Sequence, residues 1–228
     1  GRTRIDLEPS WLAELGDQTN VVHLIGEEYT GPLSFMQFWI DTILEWQQQT
    51  GKRVQIGLVG TQDVIDAILA DPMRGPHVSV LCLSYWWYNA DGTLYAPEGG
   101  KEIAGRYTGE LVDATSAASL HRQIREYRLR YPDKAIIQHH RIEVEKVWAF
   151  LMGGGSMIFS GMQYRDSLPP KESWEPPDTY VAPEESLVVQ PTYDFIRRRL
   201  ATSLPRMKPS DAVGDTARCW CLAEKGRQ

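Results

Sequence analysis

The sequence predicts an α/β fold built on a parallel sheet. Short, mostly apolar runs at residues 21–25, 54–59 and 78–83 have the length and composition of buried strands. Between them, at residues 33–50 and 62–70, apolar side chains recur at the three- and four-residue spacing of helices. Buried strands that alternate with amphipathic helices are typical of parallel sheets covered on both faces.

The remaining elements extend this pattern toward the C-terminus. Helices are predicted at residues 9–16, 116–130 and 193–204, and strands at residues 135–138 and 148–152. The alternating segment ARCWCLAE predicts the start of one more strand. Five strands of the repeated pattern are too few for an eight-stranded barrel. Two folds therefore stay open: an open, doubly wound parallel sheet, or a barrel whose first strands lie upstream of Gly1.

The composition is that of an ordinary globular protein. The chain has 228 residues, of which 42% are hydrophobic, enough for one substantial core. Its net charge of -6 argues against nucleic acid or an anionic membrane as a partner, since both require a basic surface. The first residues, GRTRIDLEPS, lack the apolar core of a signal peptide and do not begin with Met. We therefore expect a processed or truncated piece, whose compartment this segment does not indicate.

The sequence predicts no metal and no cofactor. Cys82, Cys219 and Cys221 do not form a disulfide framework and are interpreted as core thiols. The adjacent His139 and His140 have no CxxC or HxxxH companion that would complete a zinc site. The run GGGSM lacks the GxxxxGK pattern of a phosphate-binding loop.

The segment NVVHLIGEEYTGP, residues 20–32, contains the leading catalytic candidate. Its apolar strand ends at Gly26 and is followed at once by the carboxylates of Glu27 and Glu28. In α/β barrels the chemistry lies just beyond the carboxyl ends of the strands. We therefore expect Glu28 to be a catalytic acid. The alternative is that both glutamates are solvated loop residues, which is the usual environment of Glu.

An aromatic cluster after the third strand is the second functional signal. Tyr85, Trp86, Trp87 and Tyr88 open a long glycine-containing segment, and a loop of that length is uncommon in a compact domain unless it has a function. Aromatic rings can stack on the apolar faces of sugars, so these residues are predicted to bind carbohydrate. Alternation along a strand indicates that at least one of the two tryptophans packs in the core instead.

Several of these segments together resemble a known family. They are HLIGEEYTGP, FWIDTILEWQQQTGKRVQIGL, DAILADP, YWWYNADGTLYAPEGGK, REYRLRYPDKAII and AFLMGGGSM. The chain is similar, from about residue 20 to residue 224, to the bacterial glycoside-hydrolase-like proteins with a DUF6298 domain. These are related in architecture to hydrolases of the DUF4038 type. The resemblance implies a (β/α)8 TIM barrel of the retaining-glycosidase clan and a periplasmic or secreted location.

The resemblance also implies a domain organisation. Residues 1–162 would be the C-terminal part of the barrel, with residues 21–25 as strand four, so that strands four to eight are present. Residues 163–185 would be a proline-rich surface loop, and residues 186–210 would contain the last barrel helix. Residues 211–228 would begin a trailing β-sandwich domain.

Roles for individual residues follow from the same resemblance, with two departures. Glu28 matches the general acid/base that closes strand four, but Glu27 stands where Asn commonly precedes it. At strand seven, where the nucleophilic Glu is expected, the chain has Gln138 and His139. Glutamine cannot act as a nucleophile, so both are assigned to substrate binding together with Glu27. The second carboxylate stays unassigned, with Asp63, Asp91 and Glu98 as further candidates beside Glu27.

Two functions are therefore expected. The first is hydrolysis of a polysaccharide or oligosaccharide with Glu28 as general acid/base. The alternative is a non-catalytic carbohydrate-binding barrel, because Gln138 replaces the expected nucleophile.

Overall fold

The computed structural model describes seven parts of the chain, namely residues 10–26, 30–101, 115–138, 144–158, 191, 194–210 and 220–224. They form a mixed α/β structure. In chain order, the helices are α1 (Ser10–Leu15), α2 (Leu33–Thr50), α3 (Gln62–Ala70), α4 (Ala117–Arg130) and α5 (Val144–Met152). The strands are β1 (Val22–Ile25), β2 (Gln55–Val59), β3 (Val78–Cys82), β4 (Trp87–Tyr88), β5 (Leu94–Tyr95), β6 (Ala135–Gln138), β7 (Met157–Ile158), β8 (Lys208–Ser210) and β9 (Cys221–Ala223).

The main sheet is parallel and follows the order of the sequence. Its strands lie in the order β1-β2-β3-β6, with β7 as a fifth member beside β6. The predicted parallel α/β sheet is thereby confirmed. The chain divides into two compact units, of which the first comprises Gly1–Trp86, Ala96–Ala104 and Asp133–Ala135.

The first unit contains β1, β2 and β3 with α1, α2 and α3. Val22 pairs with Gln55 and Ile25 with Leu58, and Val59 pairs with Cys82 across the next strand boundary. The predicted helices at residues 33–50 and 62–70 have the predicted bounds. Their apolar stripes supply core residues at intervals of one to four, as an amphipathic helix on a sheet requires. These residues are Met36, Ile40, Ile43, Trp46, Val64, Ile65 and Ile68.

An ion-pair cluster joins the middle of α2 to the C-terminal end of α3 in the first unit. The Arg74 guanidinium donates to both carboxylate oxygens of Asp41, with Nε–Oδ1 and Nη2–Oδ2 distances of 2.8 and 2.7 Å. It also donates to Asp71 at 2.6 Å, and this hydrogen bond holds the pKa of the Asp71 carboxyl below its usual value. Bidentate geometry of this kind fixes the mutual position of two helices more firmly than a single contact does.

The second unit comprises Trp87–Tyr95, Gly105–Pro132 and Ile136–Gln228. Strands β4 and β5 form an antiparallel hairpin, and β8 and β9 form a second antiparallel pair. Ser116 is a side-chain N-cap for helix α4, because its hydroxyl accepts a hydrogen bond from the Ser119 N–H. The strand predicted within ARCWCLAE is confirmed for Cys221–Ala223. Of the predicted helix at residues 193–204, the described part includes a helical turn at Ile196–Leu200.

One predicted strand is wrong. Residues 148–152, WAFLM, belong to helix α5, which begins at Val144. A short apolar run does not distinguish a buried strand from a buried helix. Here Val147, Ala149, Phe150 and Leu151 are all buried, which erased the helical periodicity from the sequence. The strand that pairs with β6 is instead β7, which follows the glycine run.

Some predicted features lie outside the described residues. The proline-rich segment at residues 163–185 is one of them, so the predicted domain boundaries stay predictions. Among the described helices, none combines the length and the apolar character needed to span a membrane.

Candidate active site

The carboxyl ends of β1, β2 and β3 lie at one edge of the sheet in the first unit, because the three strands run parallel. Gly26 follows β1 and has a φ of 95°, a left-handed conformation that favours glycine. A Cβ atom at this position would overlap the carbonyl oxygen of Val59, the last residue of β2. The chain therefore leaves β1 in close contact with the end of β2, at the edge where α/β enzymes place their chemistry.

Three of the predicted site residues lie outside the described parts of the chain. These are Glu27, Glu28 and His139. Their assigned roles stay predictions, and the described residues define only the strand end from which Glu27 and Glu28 continue.

Thr61 lies at the carboxyl end of β2, two residues beyond Val59. Its side chain is completely buried, and its hydroxyl oxygen has no hydrogen-bond partner in the structure as described. Thr61 is also the residue that precedes α3, with φ and ψ of -67° and 158°, yet its side chain makes no capping hydrogen bond. A buried hydroxyl without a partner is unusual, since most buried polar groups are paired.

Residues 96–101 pack against this end of α3. The Asp63 carboxylate accepts a hydrogen bond from the Gly99 N–H, with distances of 3.3 and 3.1 Å to its two oxygens. The next residue, Gly100, donates its N–H to the Thr30 carbonyl at 2.7 Å. A Cβ atom at Gly99 would overlap Val64 and come within 2.9 Å of the Thr61 Oγ1. The two contacts hold this segment over the Thr61 hydroxyl.

The residues that follow β3 are buried. Trp86 has no exposed surface, and Tyr85 is 7% exposed. Ser84 and Cys82 are likewise fully buried, with 3.0 Å between the serine oxygen and the cysteine sulfur. The thiol of Cys82 is a core thiol, as the sequence predicted. Sugar contact by Tyr85 and Trp86 stays a prediction, because the side chains are covered in this structure.

The aromatic hairpin of the second unit is held by its own polar contacts. The Trp87 indole N–H donates to the Asn89 side chain at 3.0 Å, and the Trp87 ring packs on Tyr95 with centroids 4.2 Å apart. The Tyr88 hydroxyl donates to Glu126 at 2.8 Å. Arg122 lies 3.8 Å above the centre of the Tyr88 ring and also donates to Glu126. Burial and the bond to Glu126 raise the pKa of the Tyr88 phenol.

Gln138 ends strand β6 in the second unit. Its side chain is fully buried, and it pairs with Ile158 of β7 while Ile137 pairs with Met157. The position is therefore a neutral amide within the sheet. Whether this amide contacts a substrate stays a prediction.

Each of the three described candidates for a second carboxylate is bonded to another group of the protein. Asp63 binds the Gly99 N–H, and Glu98 pairs with Lys101. Asp91 accepts from both the N–H and the hydroxyl of Thr93, and these bonds lower the pKa of its carboxyl. Asp91 is therefore ionised at neutral pH and shapes the hairpin turn. Among the described residues, no group of three or more His, Cys, Asp or Glu side chains is arranged to hold a metal ion.

Reasoning from sequence missed Thr61. The only signal was its position after a buried strand and before a helix, which is also that of an ordinary N-terminal cap. The absence of the capping bond became visible only in three dimensions.

Comparison with known proteins identifies the family. No curated protein and no solved structure shows a significant match to the chain. A family model described as a domain of unknown function, DUF6298, matches residues 8–167, which is more than half of the chain. The chain therefore belongs to the DUF6298 family.

Proposed function

We propose that the protein is a glycoside hydrolase in which Glu28 is the general acid/base. One observation carries the proposal: Gly26 directly follows the parallel strand β1 in contact with the end of β2, and Glu28 follows two residues later. In the sequence, Glu28 therefore follows the sheet edge where α/β enzymes assemble their sites.

The strand order supports a barrel as the complete fold. Each parallel strand from β1 to β6 lies beside the one that precedes it in the sheet, without a reversal of order. Doubly wound sheets reverse their strand order at the point where their ligand binds, whereas (β/α)8 barrels do not. We therefore favour a (β/α)8 barrel over an open, doubly wound sheet.

The chemistry assigned to Glu28 is proton donation to the oxygen of the leaving group. A glycosidase needs one carboxyl that is protonated at rest and a second carboxylate, about 5 to 5.5 Å away in a retaining enzyme and roughly 6.5 to 9.5 Å away in an inverting one. Proton transfer of this kind contributes about 100- to 10,000-fold to the rate. The second carboxylate and the stereochemical outcome stay unassigned.

The test is Glu28→Gln, with Glu27→Gln as the matched control. Both variants and the wild type would be assayed on a panel of polysaccharides and of aryl glycosides with poor and activated leaving groups. We expect Glu28→Gln to lower kcat on poor leaving groups by at least about 100-fold. The loss should be smaller on activated leaving groups, which need no proton, and Glu27→Gln should have the smaller effect. Equal rates for wild type and Glu28→Gln would remove Glu28 from the mechanism.

Gln138 favours a second candidate function, a carbohydrate-binding barrel without catalysis. The residue is a fully buried neutral amide at the strand end where the family resemblance implies a nucleophilic carboxylate. This function predicts binding of a glycan without release of product. A glycan that is both bound and cleaved would contradict it.

A further inference from the structure

We infer that Thr61 and Asp63 form a subsite for the hydroxyl groups of a neutral sugar at the N-terminal end of α3, covered in this structure by residues 96–101. The inference rests on the proposed carbohydrate function. It concerns two residues at the end of β2 that have no role in the chemistry assigned to Glu28.

The hydroxyl of Thr61 is buried and has no partner among the described residues. Thr61 is completely buried, and within the described structure its oxygen has neither a donor nor an acceptor. Its backbone is extended at the position where a threonine normally caps its helix, but the capping bond is absent. The oxygen lies instead toward Gly99, within 2.9 Å of where a Cβ on Gly99 would be. The site therefore contains a buried polar group that has no partner among the described residues and can accept or donate a hydrogen bond to a ligand.

The segment of residues 96–101 that covers Thr61 is held by few contacts. The Gly99 N–H occupies both oxygens of the Asp63 carboxylate at 3.3 and 3.1 Å, which are long for a bond to a charged acceptor. Gly99 has no side chain, and Gly100 is exposed and adds one backbone bond to Thr30. Displacing this short segment would uncover the Thr61 hydroxyl and release the Asp63 carboxylate together.

The polar groups at this position favour a neutral ligand over an anion. An anion would be attracted by the N-terminus of a helix, but it would be repelled by the carboxylate of Asp63 in the first turn. A neutral hydroxyl fits both groups, because it can donate to the carboxylate and either accept from or donate to the threonine hydroxyl. Two neighbouring hydroxyls of a sugar ring supply this set. The ligand would thus replace the Gly99 N–H at Asp63 and give Thr61 its missing partner.

The experiment uses the full 228-residue chain and a panel of neutral monosaccharides and β-linked disaccharides, with inorganic phosphate as the anionic comparison. Affinities for the sugars that bind wild type would be measured by calorimetry for Thr61→Val and Asp63→Asn. Thr42→Val is the matched control, because the Thr42 hydroxyl bonds to the Phe38 carbonyl on the surface of α2. We expect Thr61→Val to weaken sugar binding about 3- to 10-fold, as for loss of one hydrogen bond. Asp63→Asn should weaken it by at least as much, and Thr42→Val should leave it unchanged.

Two further readouts separate binding from structure. Thr61→Val removes an unpaired buried hydroxyl and keeps the shape of the side chain, so its thermal unfolding midpoint should equal or exceed that of wild type. Bound sugar should accelerate hydrogen exchange of the Gly99 amide, because the ligand takes its acceptor. A merely structural threonine would lower the midpoint and affinity together.

The outcomes distinguish the two proposals. If wild type binds none of the sugars, the proposed function fails and the inference with it. If wild type binds a sugar and both variants bind it equally well, the inference alone is overturned. Phosphate binding in preference to sugars, or an unchanged exchange rate at Gly99 in the complex, would also overturn it.

Discussion

The β4–β5 hairpin and the end of strand β2 differ in whether their buried polar groups have hydrogen-bond partners. In the hairpin, the indole of Trp87 and the hydroxyl of Tyr88 each have a partner, in Asn89 and Glu126. At the end of β2, the buried hydroxyl of Thr61 has no partner within the described structure. Both regions follow parallel strands, but only in the hairpin do these buried polar groups have partners within the described protein.

This difference changes where a ligand site is expected. The aromatic residues were the stronger signal in the sequence, yet Trp87 is 2% exposed and its polar atom serves the hairpin itself. The weaker signal, Thr61 before α3, has a buried hydroxyl with no partner among the described residues. An aromatic cluster can stabilise a fold without any function, whereas a buried hydroxyl without a partner requires an explanation.

The largest expected effect is at Gly26, which sets the geometry of the β1–β2 edge. Gly26→Ala places a Cβ on the Val59 carbonyl at a φ of 95°. Strain and overlap together should lower the free energy of unfolding by about 3 kcal/mol. Chemical denaturation measures the change.

Gly60→Ala is the matched control for this prediction, since Gly60 directly follows the neighbouring strand β2. Its nearest neighbour would be the flexible end of Met36 at 3.3 Å, so the cost should stay below about 1 kcal/mol. Equal stability of the two variants would show that the edge does not depend on the conformation of Gly26.

The next effect tests whether the hairpin depends on its polar contacts. Tyr88→Phe removes the hydrogen bond to Glu126 and should lower the free energy of unfolding by about 1.5 kcal/mol, as for a bond to a charged acceptor. Thr61→Val, in contrast, should cost nothing. A double-mutant cycle with Glu126→Gln measures the coupling of the Tyr88–Glu126 pair. No coupling would mean that the Tyr88–Glu126 hydrogen bond does not stabilise the hairpin.

The smallest effect concerns His23, a second buried polar side chain of the first unit. It packs on Trp11 with ring centroids 4.9 Å apart, and its Nε2 has no partner within the described residues. Burial lowers the pKa of His23 below its ordinary value of 6.5, so the folded state favours the neutral ring. Stability is therefore fully present above pH 6.5 and declines as the pH falls below it.

Unfolding measured between pH 7.5 and 5 checks the sign of this dependence. His23→Leu should flatten the decline, whereas His77→Asn should leave it unchanged because His77 is exposed. A decline of the same slope in the His23 variant would assign the pH dependence to other groups.

Much of the fold was predictable because it depends on local pattern. The bounds of α2, α3 and β6 agree with the sequence prediction, since their apolar spacing and flanking turn residues indicate one structure. The strand predicted at residues 148–152 failed for the reverse reason, because a helix buried on most sides has no polar face to mark its period.

Less of the candidate site could be predicted from the sequence. The position of Glu28 after an apolar strand was readable from the sequence, and its role stays a proposal. The structure shows that β1 is buried on one face only, since Val22 and Leu24 are exposed. The partner of each polar side chain was not readable, because Tyr88 and Glu126 lie 38 positions apart and Asp63 and Gly99 lie 36 apart.

The sequence by itself therefore determined the family, the parallel α/β pattern and the strand end that precedes Glu28. Only the tertiary structure decided that Trp87 and Tyr88 bond to Asn89 and Glu126, and that the buried hydroxyl of Thr61 has no partner among the described residues. The physical reason is that periodicity acts between near neighbours, whereas hydrogen-bond satisfaction depends on which distant segments meet.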